Sequence, residues 1–327
     1  MSVGTGRRRG RLAVTLLIWL LIVPGLFWAA IRLGGWERGW LIALLAYTPF
    51  VAAWSVLPAI LALATRRWTA AAVAVAVVLS FAVFVLPRAF PGGRGPAAGS
   101  PLTVMTSNML FGGADPEAIV RLVKDNDVEV LALQEFTPEG RDALDRAGLG
   151  ALLPYSSLDP VEDSPAGSAV YSRYPIGEAG VRLNEGGFRQ AYGMIHPPGA
   201  TPLLVESAHP LAPSRPENNG LWRRDLAAQP VPDPDGPPRI LLGDFNSTLD
   251  HAPLRRLIAR GYRDAAAATG QGLTPTWPFY EHPGIPPATI DHVLVDKRLG
   301  VRAISAHTVP HTDHRAVVCR LTIPAVP

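Results

Sequence analysis

The chain of 327 residues is poor in charged side chains and in cysteine. Asp, Glu, Lys and Arg make up 17% of it, whereas ordinary soluble domains contain about a quarter. The single cysteine, Cys319, excludes an internal disulfide framework and a zinc cluster built on several cysteines. Hydrophobic residues make up 48% of the chain, so the composition argues against a plain soluble enzyme.

The few charges are unevenly divided along the chain. Residues 1–90 contain nine arginines and one acidic residue, Glu37, which gives a net charge of +8. Residues 91–327 contain 21 basic and 26 acidic residues, a net charge of −5, and all eight histidines. The overall charge of +3 is therefore the sum of a basic, hydrophobic piece and an acidic, histidine-containing piece.

The basic piece contains three uncharged stretches, Leu12 to Ile31, Gly39 to Thr65 and Trp68 to Pro87. A helix needs about 20 residues to cross a bilayer, so each stretch is long enough. We predict a membrane anchor over residues 1–90, with transmembrane helices at about 12–31, 40–64 and 68–87. A signal peptide followed by buried core helices is the alternative, but the first run is long for a signal and two more follow.

Flanking arginines predict the orientation of the anchor. The N-terminal tail carries four arginines and the loop near residue 66 carries two, which favours a cytoplasmic N-terminus. Three spans then place the C-terminal piece outside the cytoplasmic membrane. We predict a linker rich in Pro and Gly over residues 91–101 and a catalytic domain over residues 102–327.

Short apolar runs and capped helical segments alternate through the C-terminal piece, which predicts an α/β fold with mixed sheets and helices packed outside. Asp115 and Thr137 each precede a proline and are typical helix N-caps. The predicted helices are 115–124, 137–147, 217–229 and 251–260. The predicted strands are 102–107, 128–133, 153–158, 168–172, 177–183, 189–195, 202–208, 239–242, 290–295, 301–308 and 316–323.

Polar side chains recur at the borders of these strands, too often for helix capping to explain them all. Their carboxylate and amide oxygens are hard ligands that suit Mg²⁺ or Mn²⁺. Zinc is the alternative metal ion, but the sequence has no HExxH motif. GxSxG, Walker A and GxGxxG motifs are also absent. The residues concerned are Asn108, Glu135, His209, Asp244, Asn246, Asp291, Asp313 and His314.

These residues stand in motifs that resemble the endonuclease/exonuclease/phosphatase superfamily of metal-dependent phosphoesterases. The resemblance implies a four-layered α/β sandwich, in which two mixed sheets lie face to face with helices outside and the site lies at one edge. The matching motifs follow the family's order from residue 106 to residue 314: TSN, LALQE, GSAVYSRYPI, AHP, GDFNS, TWP, IDHVLV and TDH.

The same resemblance implies a role for each residue at the metal. Glu135 corresponds to the principal Mg²⁺ ligand and Asn108 lies beside it. Asp313 would help to hold the metal or a water molecule. Mn²⁺ is an alternative to Mg²⁺.

Catalytic roles are implied in the same way. Asp244 resembles the carboxylate that handles the proton, and Asn246 would hold that carboxylate or the phosphoryl group. His314, with Asp291 as its carboxylate partner, would contact the phosphate oxygens, as would His209. The identity of the general base stays open.

The remaining histidines are given structural interpretations. His292 directly follows Asp291, so on a strand its side chain points to the opposite face. For His311 we expect either a position lining the site or a structural role. We expect turn, cap or surface positions for His196, His251, His282 and His307. Tyr155, Arg189 and Trp277 could line the cleft or serve in packing.

The family does not by itself select a substrate. The acidic domain and the two lysines of the chain argue against general nucleic-acid binding, which draws on Lys and Arg contacts to phosphates. The anchor places the site near lipid phosphates, and the layout also resembles actinobacterial membrane proteins linked to teicoplanin resistance, which implies a lipid-linked phosphate or pyrophosphate as substrate. The predicted partners are this substrate and the lipid bilayer, with no obligate protein partner.

An extracytoplasmic nuclease and a catalytically silent binding module are the alternatives. The lipid hypothesis expects apolar residues around the cleft, whereas the nuclease hypothesis expects a groove lined by arginine. Intact Glu135, Asp244, Asn246, Asp291 and His314 argue against a silent module.

Overall fold

A computed structural model describes residues 3–96, 98–279 and 284–325. His282 lies outside the described residues. The helices are α1 (Val3–Gly34), α2 (Leu41–Leu45), α3 (Thr48–Ala64), α4 (Trp68–Val85), α5 (Pro116–Asp125), α6 (Pro138–Arg146), α7 (Leu149–Leu152), α8 (Asn219–Ala227), α9 (Ala252–Ala259) and α10 (Ala265–Ala268). Leu86–Ala89 and Pro216–Asn218 form 3-10 turns.

Eleven of the described strands correspond to predicted ones and differ from them mainly at their ends, whereas the short strand Tyr262–Asp264 was not predicted. They are β1 (Ser100–Asn108), β2 (Val130–Gln134), β3 (Tyr155–Asp159), β4 (Ser168–Ser172), β5 (Ile176–Leu183), β6 (Arg189–Ile195), β7 (Leu203–Ala208), β8 (Arg239–Asp244), β9 (Tyr262–Asp264), β10 (Asp291–Asp296), β11 (Gly300–Thr308) and β12 (Arg315–Ile323).

These strands form two six-stranded mixed sheets. The first has the order β11-β12-β1-β2-β4-β3 and the second β5-β6-β7-β8-β10-β9. One pair in each sheet is parallel, β1 with β2 and β7 with β8, and the other neighbouring strands are antiparallel. The expectation of two mixed sheets in an α/β sandwich is confirmed.

Side chains that alternate along the central strands build three layers of core. Val104 and Ile240 pack between the sheets, in a cluster that draws on both. Met105, next in sequence to Val104, faces the other side and packs with side chains of α5 and α6. Leu241 likewise packs against α8 and α9. This alternation follows from the two-residue period of a strand and explains why helices cover both outer faces.

The N-terminal piece is helical but differs from the three predicted spans. Residues 8–34 and 68–89 form helices long and apolar enough to cross a membrane. The predicted span 40–64 is not one helix, because α2 is separate from α3. Helix α3 has 17 residues, a length of about 25 Å at 1.5 Å per residue. Three transmembrane helices are therefore not confirmed.

Residues 36–47, which we call the connector, join α1 to α3 and pack on the sandwich. Ile42 is fully buried among side chains of α8 and α9. The backbone oxygen of Ile42 accepts a hydrogen bond from Nε2 of His251 at 2.7 Å, and that of Gly39 accepts one from Asn219 Nδ2 at 3.0 Å. Because Ile42 is buried against the sandwich, the first residues of the predicted second span do not continue into α3.

A buried cluster of ion pairs fastens the N-terminal helices to the sandwich. Asp250, fully buried before α9, accepts hydrogen bonds from Arg88 Nη1 and Nη2 at 2.7 and 2.5 Å and from Arg32 Nε at 3.1 Å. Burial alone would raise the pKa of Asp250, but the two guanidinium groups outweigh it and hold the pKa below its ordinary value. The ends of α1 and α4 are therefore attached to one carboxylate.

We predict that Asp250→Ala destabilises the full-length protein by about 3–5 kcal/mol, because it removes the carboxylate partner of the buried Arg88 and of the half-buried Arg32. The midpoint of denaturant unfolding in detergent measures this. Asp142→Ala, on the exposed side of α6, is the control and should change stability by no more than about 0.5 kcal/mol. Since the folded pKa of Asp250 is depressed, its contribution is complete at neutral pH and is lost only as the pH falls through that value. Equal stability of the two variants would show that the cluster does not hold the pieces together.

Candidate active site

Strand ends from both sheets bring the predicted site residues to one edge of the sandwich. Asn108 and Glu135 lie at the carboxyl ends of the parallel pair β1 and β2, and Asp244 lies at the corresponding end of β8. Strand β10 runs antiparallel to β8, so its first residue, Asp291, is directly paired with Asp244. His314 precedes β12, which is antiparallel to β1.

Asn108 links two carboxylates at the centre of this edge. Its Nδ2 donates to Glu135 Oε1 and to Asp244 Oδ2, each at 3.1 Å. Its Oδ1 accepts from the backbone N–H of Leu110 at 2.9 Å, which fixes the orientation of the amide. The predicted ligand oxygen of Asn108 therefore bonds to the backbone, and the residue acts in this structure as a donor that positions the carboxylates.

Two site residues have left-handed backbone conformations, and both take part in hydrogen bonds between a backbone N–H and a site carboxylate. Glu135 has φ +54° and its Oε2 accepts from the N–H of Phe111 at 3.0 Å. Asn246 has φ +46°, and its N–H donates to Asp244 Oδ1 at 2.8 Å. Its side chain donates to Pro210 O at 3.0 Å. Such conformations are uncommon outside glycine and cluster at functional sites.

His314 lies among three aspartates. Its Nδ1 lies 3.0 Å from Asp291 Oδ2, and its Nε2 lies 3.7 Å from Asp244 Oδ2 and 3.9 Å from Asp313 Oδ1. Asp313 is held in turn by Trp277, whose Nε1 donates to Oδ2 at 2.7 Å. Asp291 thus orients the imidazole so that Nε2 faces the other carboxylates, as in other Asp–His pairs.

His209 forms a second, neutral imidazole beside Asp244. Its Nε2 lies 3.7 Å from Asp244 Oδ2, and its ring packs edge-on against Phe188 at 4.5 Å between centroids. Burial, aided by the nearby His314, lowers the pKa of His209 to about 3. Its backbone is held on both sides, because Gln190 Oε1 accepts from its N–H and Asn184 Nδ2 donates to its carbonyl oxygen.

The charges of the site are unbalanced. Burial lowers the pKa of His314, but Asp291 and Asp244 outweigh this effect and raise it to about 10, so the imidazole is protonated at neutral pH. Burial raises the pKa of Asp244 to about 7, and burial also raises that of Glu135. One imidazolium therefore faces four carboxylate groups, those of Glu135, Asp244, Asp291 and Asp313.

This surplus of buried negative charge suits a divalent cation, which is bound in proteins by hard oxygen ligands. Ligand atoms of Asp244, Asp291 and His314 lie within 4.8 Å of one another. Asp291 and His314 already satisfy each other, whereas the carboxylate of Glu135 receives N–H donors and lines the cavity. The residues fit a metal, and we regard Glu135 and Asp244 as better placed to hold it than the Asp291–His314 pair.

The site opens into a cavity of about 380 Å³. Its polar groups include Glu135, His209, Asp244 and His314, and most of its remaining lining is apolar. No lysine or arginine is found among the described residues that line it. The apolar lining includes Ile42, Ala43, Ala46, Tyr47, Leu110, Phe111, Pro165, Phe188, Ala212, Pro213, Trp277, Ala288 and Ile290.

Several of these lining residues were not predicted. Ile42, Ala43, Ala46 and Tyr47 belong to the connector, which the sequence places inside a membrane span. A signal was present, because the uncharged stretch from Gly39 to Thr65 is about seven residues longer than a span requires. Its first residues form α2 and line the cavity.

The other aromatic and histidine residues divide between the site and the scaffold. His292 is buried on the far face from Asp291, between Asp264 at 2.7 Å and the backbone oxygen of Ser247 at 2.9 Å, as its structural interpretation expects. His251 is the N-cap residue of α9, one of the positions expected for it, and it is buried with its ring against the connector. Trp277 lines the cavity, whereas His311, Tyr155, Arg189, His196 and His307 do not.

Buried carboxylates with an oriented imidazole can bind a divalent cation and can stabilise the charge on a phosphate ester during hydrolysis. A family model described as the Endonuclease/Exonuclease/phosphatase family matches residues 105–314. The chain belongs to this family, whose members are hydrolases that act on phosphoesters.

Solved structures share this fold at low sequence identity. A family protein from Bacteroides thetaiotaomicron is 17% identical with a TM-score of 0.55, over 69% of this chain and 99% of its own. A humanized TDP2 of D. rerio is 12% identical with a TM-score of 0.56, over 68% and 99%. A mannosyl-6-phosphatase from B. thetaiotaomicron is 18% identical with a TM-score of 0.53, over 68% and 100%. No curated protein sequence matches the chain.

We predict that Asp244→Asn and His314→Ala each lower Mg²⁺-dependent hydrolysis of a chromogenic phosphodiester by about 100-fold or more, because the first removes a carboxylate that can accept a proton and the second removes a cation that faces the reacting phosphate. Circular dichroism should show both variants folded. His307→Ala, a histidine outside the cavity, is the control and should retain activity. Full turnover by His314→Ala would remove that residue from the mechanism.

A second prediction concerns the metal directly. Glu135→Gln should weaken Mn²⁺ binding about tenfold or more, since it removes a negative ligand while keeping the shape of the side chain. Titration followed by electron paramagnetic resonance measures the affinity without turnover. Glu139→Gln, exposed at the start of α6, is the matched control. Unchanged affinity in Glu135→Gln would exclude Glu135 as the principal ligand.

Proposed function

We propose that the protein is a membrane-anchored, Mg²⁺-dependent phosphoesterase that hydrolyses a lipid-linked phosphate or pyrophosphate at the outer face of the bacterial cytoplasmic membrane. The observation that carries the proposal is the composition of the cavity. Carboxylates and imidazoles form its polar end, and the rest of its lining is largely apolar and partly supplied by the connector. A ligand with a phosphate at one end and a hydrocarbon chain at the other matches this division.

The polar groups suit phosphoryl transfer, which needs positioning and charge neutralisation more than covalent help. Mg²⁺, or Mn²⁺, would supply polarisation of the phosphoryl oxygen when bound near Glu135. The protonated His314, oriented by Asp291, would donate from Nε2 to a phosphate oxygen. Asp244, with a pKa near neutrality, would accept or return the proton of water or of the leaving oxygen. Neutral His209 would donate one further hydrogen bond.

The lining argues against a general nuclease. Nucleic-acid binding draws much of its affinity from Lys and Arg contacts to phosphates, and the described lining contains neither residue. The net charge of −5 on residues 91–327 would also repel a polyanion. TDP2 and the mannosyl-6-phosphatase share the fold but not enough sequence to transfer a substrate.

Membrane anchoring is supported by the outer surfaces of the N-terminal helices. The apolar side chains of Leu16, Leu20 and Phe27 on α1 and of Leu79 and Val83 on α4 are exposed. Water would surround these groups in a soluble protein, whereas lipid would favour them. The arginine distribution favours a cytoplasmic N-terminus, and the resemblance to the teicoplanin-resistance proteins fits the same layout.

The proposal predicts that the full-length protein with Mg²⁺ releases phosphate from undecaprenyl pyrophosphate and leaves plasmid DNA intact. Phosphate release and agarose electrophoresis report the two activities from one preparation. Asp244→Asn is the control for contaminating phosphatases and should release no phosphate. Nicking of DNA without lipid turnover would overturn the proposal in favour of a nuclease, and the absence of both activities would favour a silent module.

A further inference from the structure

We infer that the connector is part of the substrate site, and that it binds the hydrocarbon chain of a single-chain lipid phosphate next to the catalytic groups. The inference rests on the proposed function and adds to it the position of the chain and the residues that select it. It follows from the position of the connector in the cavity, from a second cavity that continues the first, and from the rigid attachment of the connector to the sandwich.

The connector forms an apolar wall of the cavity that contains the catalytic groups. Ala43 and Ala46 offer small side chains to it, and the ring of Tyr47 lies beside them. Leu110 and Phe111, which follow the site residue Asn108, contribute apolar side chains to the same cavity. Phe111 is 55% exposed, so its ring adds apolar surface beside the catalytic groups. The wall has no charge that could bind a second phosphate or a nucleotide backbone.

A smaller cavity continues from the same wall toward α3. It has a volume of about 120 Å³ and shares Ala46 and Ala288 with the first cavity. Pro49 and Phe50, from the first turn of α3, line it together with Leu273. Arg88 and Asp250 also line it, and their charges are paired with each other at 2.7 Å. The apolar surface therefore extends from the catalytic groups past Ala46 to an apolar helix.

The size of the second cavity favours one chain over two. Its volume of about 120 Å³ is roughly a third of the first cavity's 380 Å³. One unbranched or methyl-branched chain fills less of this volume than the two acyl chains of a diacylglycerol lipid. We therefore assign a single-chain lipid, such as a polyprenyl phosphate or pyrophosphate, to this path.

The connector is preformed and does not need to close on the ligand. Nδ1 of His251 accepts from the N–H of Thr248 at 2.8 Å, so its Nε2 carries the proton donated to Ile42 O. Glu37 Oε1 accepts from the N–H of Ala252 at 2.7 Å at the start of α9. These bonds hold the connector to the sandwich on the N-terminal side of Ala43. A preformed wall binds a flexible chain at lower entropic cost than a mobile one.

Ala46→Trp in the full-length protein tests the inference, because the larger side chain would fill the junction between the two cavities. We expect kcat/KM for undecaprenyl pyrophosphate to fall about tenfold or more, through loss of contacts with several methylene groups. Dimethylallyl pyrophosphate carries the same pyrophosphate on a single isoprene unit and should be hydrolysed with kcat/KM changed less than about twofold. Ala53→Trp, on the exposed side of α3 and outside both cavities, is the matched control.

A second variant guards against a folding defect. Ala43 is exposed at the wall, so Ala43→Trp should fold normally and should also discriminate against the long chain. Equal loss on both substrates in both variants, or no loss on either, would overturn the inference while leaving the proposed function intact. Turnover of diacylglycerol pyrophosphate as efficient as that of undecaprenyl pyrophosphate would overturn the single-chain assignment. Absence of lipid turnover by the unmodified protein would refute the proposed function and this inference together.

Discussion

The ion-paired carboxylate of Asp250 is the interaction on which the arrangement of this protein depends. It receives the guanidinium groups of Arg32 at the end of α1 and Arg88 after α4, so both ends of the N-terminal bundle are attached to one point of the sandwich. Two buried cations and one buried anion are costly to separate, because each would lose its partner without regaining water. The short connector between α1 and α3 must then pass over α8 and α9, and Ile42 fills the apolar core there. The wall of the active-site cavity is a consequence of this attachment.

A second constraint acts at the opposite end of the cavity. The strand ends of two sheets bring four carboxylates together with one protonated imidazole, and burial disfavours so much negative charge. A divalent cation and a protonated His314 offset this negative charge. Both also stabilise the charge that develops on a phosphate during transfer. The same imbalance thus explains why the site would bind a metal and why it would act on phosphoesters. The surrounding apolar lining lowers the local dielectric, which strengthens each of these interactions.

Much of the sandwich could be predicted because its signals are local. Asp115 and Thr137 cap α5 and α6 as expected, through hydrogen bonds to the N–H groups of Ala118 and Gly140. Strand positions followed from alternating or continuous apolar runs, and strand-end polar residues converge because parallel strands end at the same edge. The roles of Asn108 and His251 could not be predicted, since each depends on a partner distant in sequence or on the orientation of one amide. The break between α2 and α3 was hidden for a related reason: Ile42 is apolar whether it faces lipid or a protein core, and only the tertiary contact with α8 and α9 decides.

The central claim is that one cavity, built from both the connector and the sandwich, holds the phosphate and the chain of a lipid substrate. Photolabelling with a non-hydrolysable undecaprenyl phosphonate that carries a benzophenone near its first isoprene unit tests this most directly. With Mg²⁺ present, peptide mapping should find the label on the connector, at residues 43–47, and on the segment at Leu110 and Phe111, and an excess of unlabelled analogue should suppress it. Label confined to the outer faces of α1 and α4, and insensitive to competition, would contradict the account.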